Sequence, residues 1–306
     1  MEINAYVWAG FLLFVIAMLA LDLGVFHKKT HEVKIKEALI WSAIWISLAL
    51  IFNYIIYLYL GKTKALEFLT GYLIEKSLSV DNLFVFIMVF SFFNVEAKYQ
   101  HKILFWGIIG ALIMRAIFIF AGVALINSFH WIIYVFGAFL IFTGFKMLKQ
   151  KDEKFNPSKN ILVRLFKFFM PVTSKPHEDK FFVRINHKLF ATPLFIVLII
   201  IEFTDLIFAV DSIPAILAIS NDPFIIFTSN VFAILGLRAL YFALAGITQY
   251  FRYLKYGLSA ILVFVGVKMC ISGFFKFPVV ISLLIILSIL VISVLASIIY
   301  KEEKKN

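Results

Sequence analysis

Hydrophobic residues run in long blocks along this chain, and polar residues gather in short stretches between them. Nine blocks are each long enough for a membrane-spanning helix, which needs about 20 apolar residues. They cover about Ala5–Phe26, Ala38–Leu60, Leu66–Phe93, Ile103–Ile126, Trp131–Leu148, Pro193–Ile219, Pro223–Gln249, Leu254–Phe274 and Pro278–Tyr300. The pattern predicts an all-α polytopic protein folded as a single membrane domain over residues 1–306. A basic connection, about residues 149–190, separates the fifth and sixth blocks. Its FKFFM and KFFVRINHKLF pieces interleave aromatics with positive charge. They read either as an amphipathic helix on the membrane surface or as a solvated cytoplasmic linker that offers a surface to soluble partners.

Composition agrees with the pattern. The chain is 63% hydrophobic with a mean hydropathy of +0.98, whereas soluble domains are about half apolar. The net charge of +11 is no nucleic-acid signal, because the basic residues sit in the loops. With the basic connection inside the cell, the other side receives only Lys62, Lys64 and Lys276. The positive-inside rule then places the N-terminus outside and the C-terminus in the cytoplasm. In a bacterium the membrane is the plasma membrane. The first block lacks a basic leader and a small-residue cleavage site, so it is expected to be retained. One cysteine, Cys270, excludes an intramolecular disulfide and a multi-cysteine metal site.

Against this background the acids stand out. IEFTDLIFAVDSIPAIL places Glu202, Asp205 and Asp211 in a run with no Lys or Arg between Pro193 and Arg238. Asp22, Glu75 and Asp81 lie in other spans, and only Arg115 and Arg238 oppose the six at depth. Lys146 and Lys268 sit toward span ends, where lysines snorkel, and Lys76 points to a different face from Glu75. Pairing with arginine accounts for some of these acids but not for all. Carboxylates at membrane depth are costly and mark a bundle interior, a cavity or a cation path. Glu202 and Asp205 share a helix face, and Pro214 is expected to kink or break the helix and turn Asp211 toward them.

The chain also repeats itself. Glu75-KSLSV-Asp81-Asn82 matches Asp205-LIFAV-Asp211-Ser212, LIMRA with Arg115 matches LGLRA with Arg238, and FTGFKM matches FVGVKM. Two three-span units, about residues 66–148 and 193–274, follow in the same order. An odd number of spans inverts the second copy, an arrangement that places transport sites at the repeat interface near mid-membrane.

Asn82, Thr204 and Ser212 add neutral oxygens to the carboxylates. An all-oxygen set suits Mg²⁺, Ca²⁺ or Mn²⁺, and site chemistry leaves these and a proton relay open. No nucleophile elbow, phosphate-binding glycine loop or HExxH occurs, so the chain is not expected to be an enzyme or to hold a permanent cofactor.

The motifs ALDLGVFHKK, EKSLSVDNLFVF, KYQHKILFWGIIGALIMRAIFI, IEFTDLIFAVDSIPAILAIS and FTSNVFAILGLRALYF resemble the TerC/Alx family of bacterial membrane proteins, named for tellurium resistance. The resemblance implies a role in manganese homeostasis, with Mn²⁺ export as the activity of Alx-type members. It implies that Asp81, Glu202, Asp205 and Asp211 handle metal, and it places Glu75 and Asp22 in family motifs. The sequence reading is therefore a secondary exporter of divalent cations, Mn²⁺ foremost, with Asn82 and Ser212 as further ligands and Arg115 and Arg238 as charge-balancing groups. Two alternatives stay open: a membrane scaffold of a stress-resistance complex, and a Ca²⁺/cation exchanger with the same acids.

Overall fold

The computed structural model describes residues 5–26, 35–129, 131–149, 171–173, 180–185, 188–245, 253–275 and 278–299. Helices dominate them: α1 (Ala5–Phe26), α2 (Ile35–Leu60), α3 (Lys62–Phe92), α4 (Ala97–Ser128), α5 (Ile132–Lys149), α6 (Pro193–Leu217), α7 (Pro223–Leu235), α8 (Leu237–Ala245), α9 (Leu254–Cys270) and α10 (Val279–Ile299). Each expected span has its helix, with α7 and α8 together forming the seventh. In a membrane every backbone polar group needs an internal partner, and a helix supplies one for each. The helices α3 and α4 are the longest, at 31 and 32 residues. At 1.5 Å per residue they measure about 46 and 48 Å, against a hydrocarbon core of about 30 Å. Gly61, at φ 86°, makes the tight turn from α2 into α3, a conformation that favours glycine.

The bundle is built around α7. Every residue from Phe224 to Leu235 is buried. Asp222 caps its start, accepting from the Phe224 N–H at 3.1 Å, and Pro223 occupies the first turn, where no donor is lost. Trp8 and Phe11 of α1, Phe52 of α2 and Phe68 of α3 pack their rings around Phe224, Phe227 and Phe232, with Phe52 and Phe232 centred 4.8 Å apart. The helix α3 comes closest at Gly71, where an added Cβ would lie 2.9 Å from Ser229 Oγ. Leucine, isoleucine and tyrosine side chains on the outer faces of α2 and α10 are exposed, as lipid-facing positions are.

Helices from the first half of the chain pack against helices from the second. The helix α4 lies along α6, α3 lies along α7, and α5 lies along α9. The last pair meets backbone to backbone. A Cβ on Gly266 would come within 2.6 Å of the Gly137 carbonyl, and one on Gly144 within 3.0 Å of the Ser259 carbonyl. Ser259 Oγ also donates to the Gly144 carbonyl at 2.6 Å. Small residues at such crossings let helices associate in lipid, where no hydrophobic drive separates one apolar surface from another.

Three local expectations change. The helix α6 continues through Pro214 to Leu217, because the proline falls in its last turn and removes only one late hydrogen bond. The break comes instead at Gly236, between α7 and α8. Lys76 Nζ donates to the Ala233 carbonyl at 3.2 Å beside this break, a lysine supplying the donor that a helix end lacks. The KFFVRINHKLF piece is neither a helix nor an open linker. It forms an antiparallel strand pair, β1 (Phe182–Ile185) and β2 (Lys188–Ala191), with Val183 opposite Phe190. The FKFFM piece lies outside the described residues. Lys146 is exposed, whereas Lys268 is buried instead of snorkelled.

Candidate cation site at the crossing of α3, α4 and α6

Residues of α3 spaced at helical intervals, Glu75, Ser79 and Asn82, share one face directed at α4, α6 and α7. Opposite them stands Arg115 of α4, 1% exposed and the largest of the fully buried side chains. Its Nη1 pairs with Glu75 Oε1 and donates to Asn230 Oδ1 at 3.3 Å. Its Nη2 and Nε reach Asp205 Oδ1 and Oδ2 at 3.1 and 3.4 Å. One guanidinium thus bridges a carboxylate from each sequence unit. Glu75 is fully buried and Asp205 is 5% exposed.

Neutral donors complete the cluster. Asn230 Nδ2 donates to Glu75 Oε2 at 3.0 Å, Ser79 Oγ donates to Glu75 Oε1 at 3.1 Å, and Asn82 Nδ2 donates to Asp205 Oδ1 at 3.3 Å. A carboxylate accepts only, so the Asn82 amide must turn its nitrogen to Asp205 and leave Oδ1 facing elsewhere. That Oδ1 is buried and has no hydrogen-bond partner among the described residues. Ser212 Oγ, seven residues beyond Asp205 on α6, is buried and likewise without a partner there. Asn82 and Ser212 are the matched positions of the two acidic motifs. Buried oxygens without donors are uncommon and call for a water or an ion.

Glu202 does not join Arg115. Its carboxylate rests against the α4 backbone at Gly110, with Oε1 4.0 Å from where a Gly107 Cβ would stand. The expectation that Glu202 and Asp205 share a face holds in that both address α4, but they meet it at different turns. A small cavity of about 20 Å³, room for one water or a bare ion, opens beside Asp205 and Arg238. Phe86, Gly107, Ile201 and Leu237 are among its walls. The side chains of Asp22, Asp81 and Asp211 lie outside the described part of the structure. Among the described residues no group of three or more His, Cys, Asp or Glu side chains is gathered closely enough to hold a metal.

Asn230 and Ser79 were not anticipated. Ser79 sits one turn from Glu75, a spacing legible in advance. Asn230 is an amide in an apolar run, 155 residues from the carboxylate it serves, and only the fold joins them.

Comparison with known proteins decides the family. The sequence profile of the integral membrane protein TerC family matches residues 60–305. This chain belongs to the TerC family. It is 56% identical over 292 residues to an uncharacterized membrane protein of Myxococcus xanthus, covering 95% of this chain and 92% of that one. It is 47% identical over 310 residues to Alx of Escherichia coli K12, covering 98% and 97%. Alx of Salmonella typhi is 48% identical over 295 residues, covering 94% and 92%. Both Alx proteins carry the name of a proposed membrane-bound redox modulator. No solved structure matches the chain at a significant level. Membership in TerC and these names point to a membrane transporter or modulator rather than an enzyme.

Proposed function

We propose that this TerC protein is a secondary transporter that exports divalent cations, Mn²⁺ foremost, across a bacterial plasma membrane. The observation that carries the proposal is the Arg115 cluster: two buried carboxylates, one from each sequence unit, share one guanidinium beside unpartnered oxygens on Asn82 and Ser212. The ligand set would be Asp205, Glu202, Glu75, Asn82 and Ser212, with Asp81 and Asp211 next in sequence to the two neutral oxygens and Asp22 on the first span. Carboxylate, amide and hydroxyl oxygens suit a hard or borderline divalent ion. Arg115 would hold the carboxylates when no cation is bound and release them to it, and Arg238 beside the cavity would serve the second unit.

An inverted repeat of residues 66–148 and 193–274 supports an alternating path. Gly144 and Gly266 are the matched glycines of FTGFKM and FVGVKM, and seven residues before each stand Gly137 and Ser259. The contacts Gly266–Gly137 and Gly144–Ser259 are therefore exchanged counterparts, as a two-fold relation requires. The N-terminus would face outside and the basic connection the cytoplasm, where its charge suits soluble partners. An inside-negative potential opposes cation exit by about 2.3 kcal/mol per charge per 100 mV. Export therefore requires exchange for protons or another ion.

The relatives' redox name fits metal handling better than thiol chemistry here, because Cys270 is the chain's single cysteine and no intramolecular dithiol can form. The test is cellular manganese, measured by mass spectrometry in an exporter-deficient bacterium under Mn²⁺ load. Wild type should lower manganese, while Asp205→Asn and Glu202→Gln at equal membrane level should not. A wild type that leaves manganese unchanged refutes Mn²⁺ export, and repeating the panel with Ca²⁺ and Mg²⁺ separates a different cargo from a scaffold.

A further inference from the structure

Glu202 and Asp205 of α6 differ in a way that bears on which of them a cation meets first. Asp205 is paired with Arg115 and held by Asn82. Glu202 lies one turn away, partly buried, with no hydrogen-bond donor reaching its carboxylate among the described residues. It stands where α4 carries Gly107, Gly110 and Ala111, and the cavity beside Asp205 is walled by Gly107 and Ala111. At Gly110 a methyl group and the Glu202 carboxylate in its present position exclude each other. A Cβ there would overlap Oε1, Cδ and Oε2 of Glu202, all three atoms far inside van der Waals contact. At Gly107, three residues earlier, a Cβ would stand 3.5 Å from Ile201 Cγ2 and 4.0 Å from Glu202 Oε1, which is ordinary contact. Only one of the two glycines is required by the carboxylate.

We propose that Gly110 is a positioning residue that opens a slot in α4 for the Glu202 carboxylate and holds it, uncompensated, as the position that recruits the cation before Asp205 leaves Arg115. The inference rests on the transport reading above and adds an order of events and a residue to it. A carboxylate at membrane depth is tolerated when it faces a cavity or a cation. The slot seats Glu202 against α4 one turn from Asp205, which lines the cavity, and no arginine among the described residues donates to it. A methyl group at position 110 would force the carboxylate out of this place.

The experiment is a double-mutant cycle of Gly110→Ala with Glu202→Asp, with Gly122→Ala, a tight α4–α6 contact outside the cavity, as the control. Mn²⁺ affinity is read on purified protein from the electron paramagnetic resonance signal of free Mn²⁺, and melting temperature is read on the same samples. Gly110→Ala should weaken Mn²⁺ binding at least tenfold and lower the melting temperature in the wild-type background. In Glu202→Asp the carboxylate is one methylene shorter and clears the new Cβ, so adding Gly110→Ala should then change both readouts little. Gly122→Ala, which crowds Leu217 of α6 away from the cavity, should bind Mn²⁺ as wild type does. Equal losses from Gly110→Ala in both backgrounds overturn the slot, because they mark general disturbance of α4–α6 packing. Wild-type protein that binds Mn²⁺ with the expected coupling but moves none in vesicles leaves the slot standing and refutes transport. Wild-type protein that binds no Mn²⁺ overturns both.

Discussion

Replacing Arg115 with leucine removes the centre of the buried cluster and leaves its two carboxylates in place. Glu75 loses its Nη1 partner, and Asp205 loses Nη2 and Nε at 3.1 and 3.4 Å. Removing one member of a buried ion pair typically costs about 3–5 kcal/mol, because the remaining charge is stranded. Two charges are stranded here, which argues for the upper end. Asn230 and Ser79 still donate to Glu75, and Asn82 still donates to Asp205. Each hydrogen bond to a charged group retains about 1.5–3 kcal/mol, which pulls the estimate back. The expected loss is about 4 kcal/mol, roughly a thousandfold in the unfolding equilibrium. The assay is reversible unfolding in mixed detergent micelles, comparing wild type, Arg115→Leu, and the triple variant Arg115→Leu/Glu75→Gln/Asp205→Asn. Neutral replacement of a whole buried ionic group is often neutral or stabilising. The triple variant should therefore recover most of the stability while remaining unable to move metal. A loss below about 1 kcal/mol in Arg115→Leu, or a triple variant no more stable than it, refutes the stranded-charge reasoning.

Further outcomes follow from the helix contacts. Gly266→Ala pushes a methyl group into the Gly137 carbonyl, which cannot rotate away, and should cost about 1–3 kcal/mol in the same assay. Lys76→Met removes the donor at the Gly236 break and leaves the Ala233 carbonyl bare. It should cost about 1–3 kcal/mol and speed hydrogen exchange at the junction of α7 and α8. Lys64→Met at the bundle end breaks contacts of 3.1 and 3.2 Å with Glu67 and Asp222, which water also reaches. It should cost no more than about 1 kcal/mol, and less at high salt. Cys270→Ala should leave manganese content and its response to oxidants unchanged in the cellular assay, and a changed oxidant response would bring the thiol back into the mechanism.

The spans were legible in the sequence because length and apolarity are local properties, and their bounds fall within a few residues of the helices. Two features were visible but outweighed. KFFVRINHKLF carries the β-branched Val183 and Ile185 and aromatics on either side of the polar Asn186-His187, a composition open to a hairpin, yet its mixture of aromatics and cations left the reading between an amphipathic helix and a solvated linker. Pro214 suggested the broken span, but a proline in a last turn breaks little, while Gly236 sits in mid-span, where a released carbonyl must find a new donor. At the site, Glu75, Asp205 and Arg115 were legible as rare charges in apolar runs. How they pair was not. A separation of three residues leaves side chains about 60° apart around a helix, enough for Asp205 to meet Arg115 while Glu202 meets Gly110. Which neighbour stands at each angle depends on how α4 crosses α6, and no local pattern encodes that crossing.

The enclosure of α7 has a consequence for how this protein is made. A span surrounded on all sides by its own chain touches no lipid, and its window has a mean hydropathy of only 1.7, against 2.9 for the exposed α10. Ser229, Asn230 and Thr228 suit a protein interior better than a hydrocarbon one. Insertion machinery that partitions each emerging segment by its own affinity for lipid would hold such a segment weakly. The helices α3 and α4, which receive it, are synthesised more than 90 residues earlier. The order of synthesis places the berth before its occupant, and the seventh span is expected to enter the membrane by docking on helices already there.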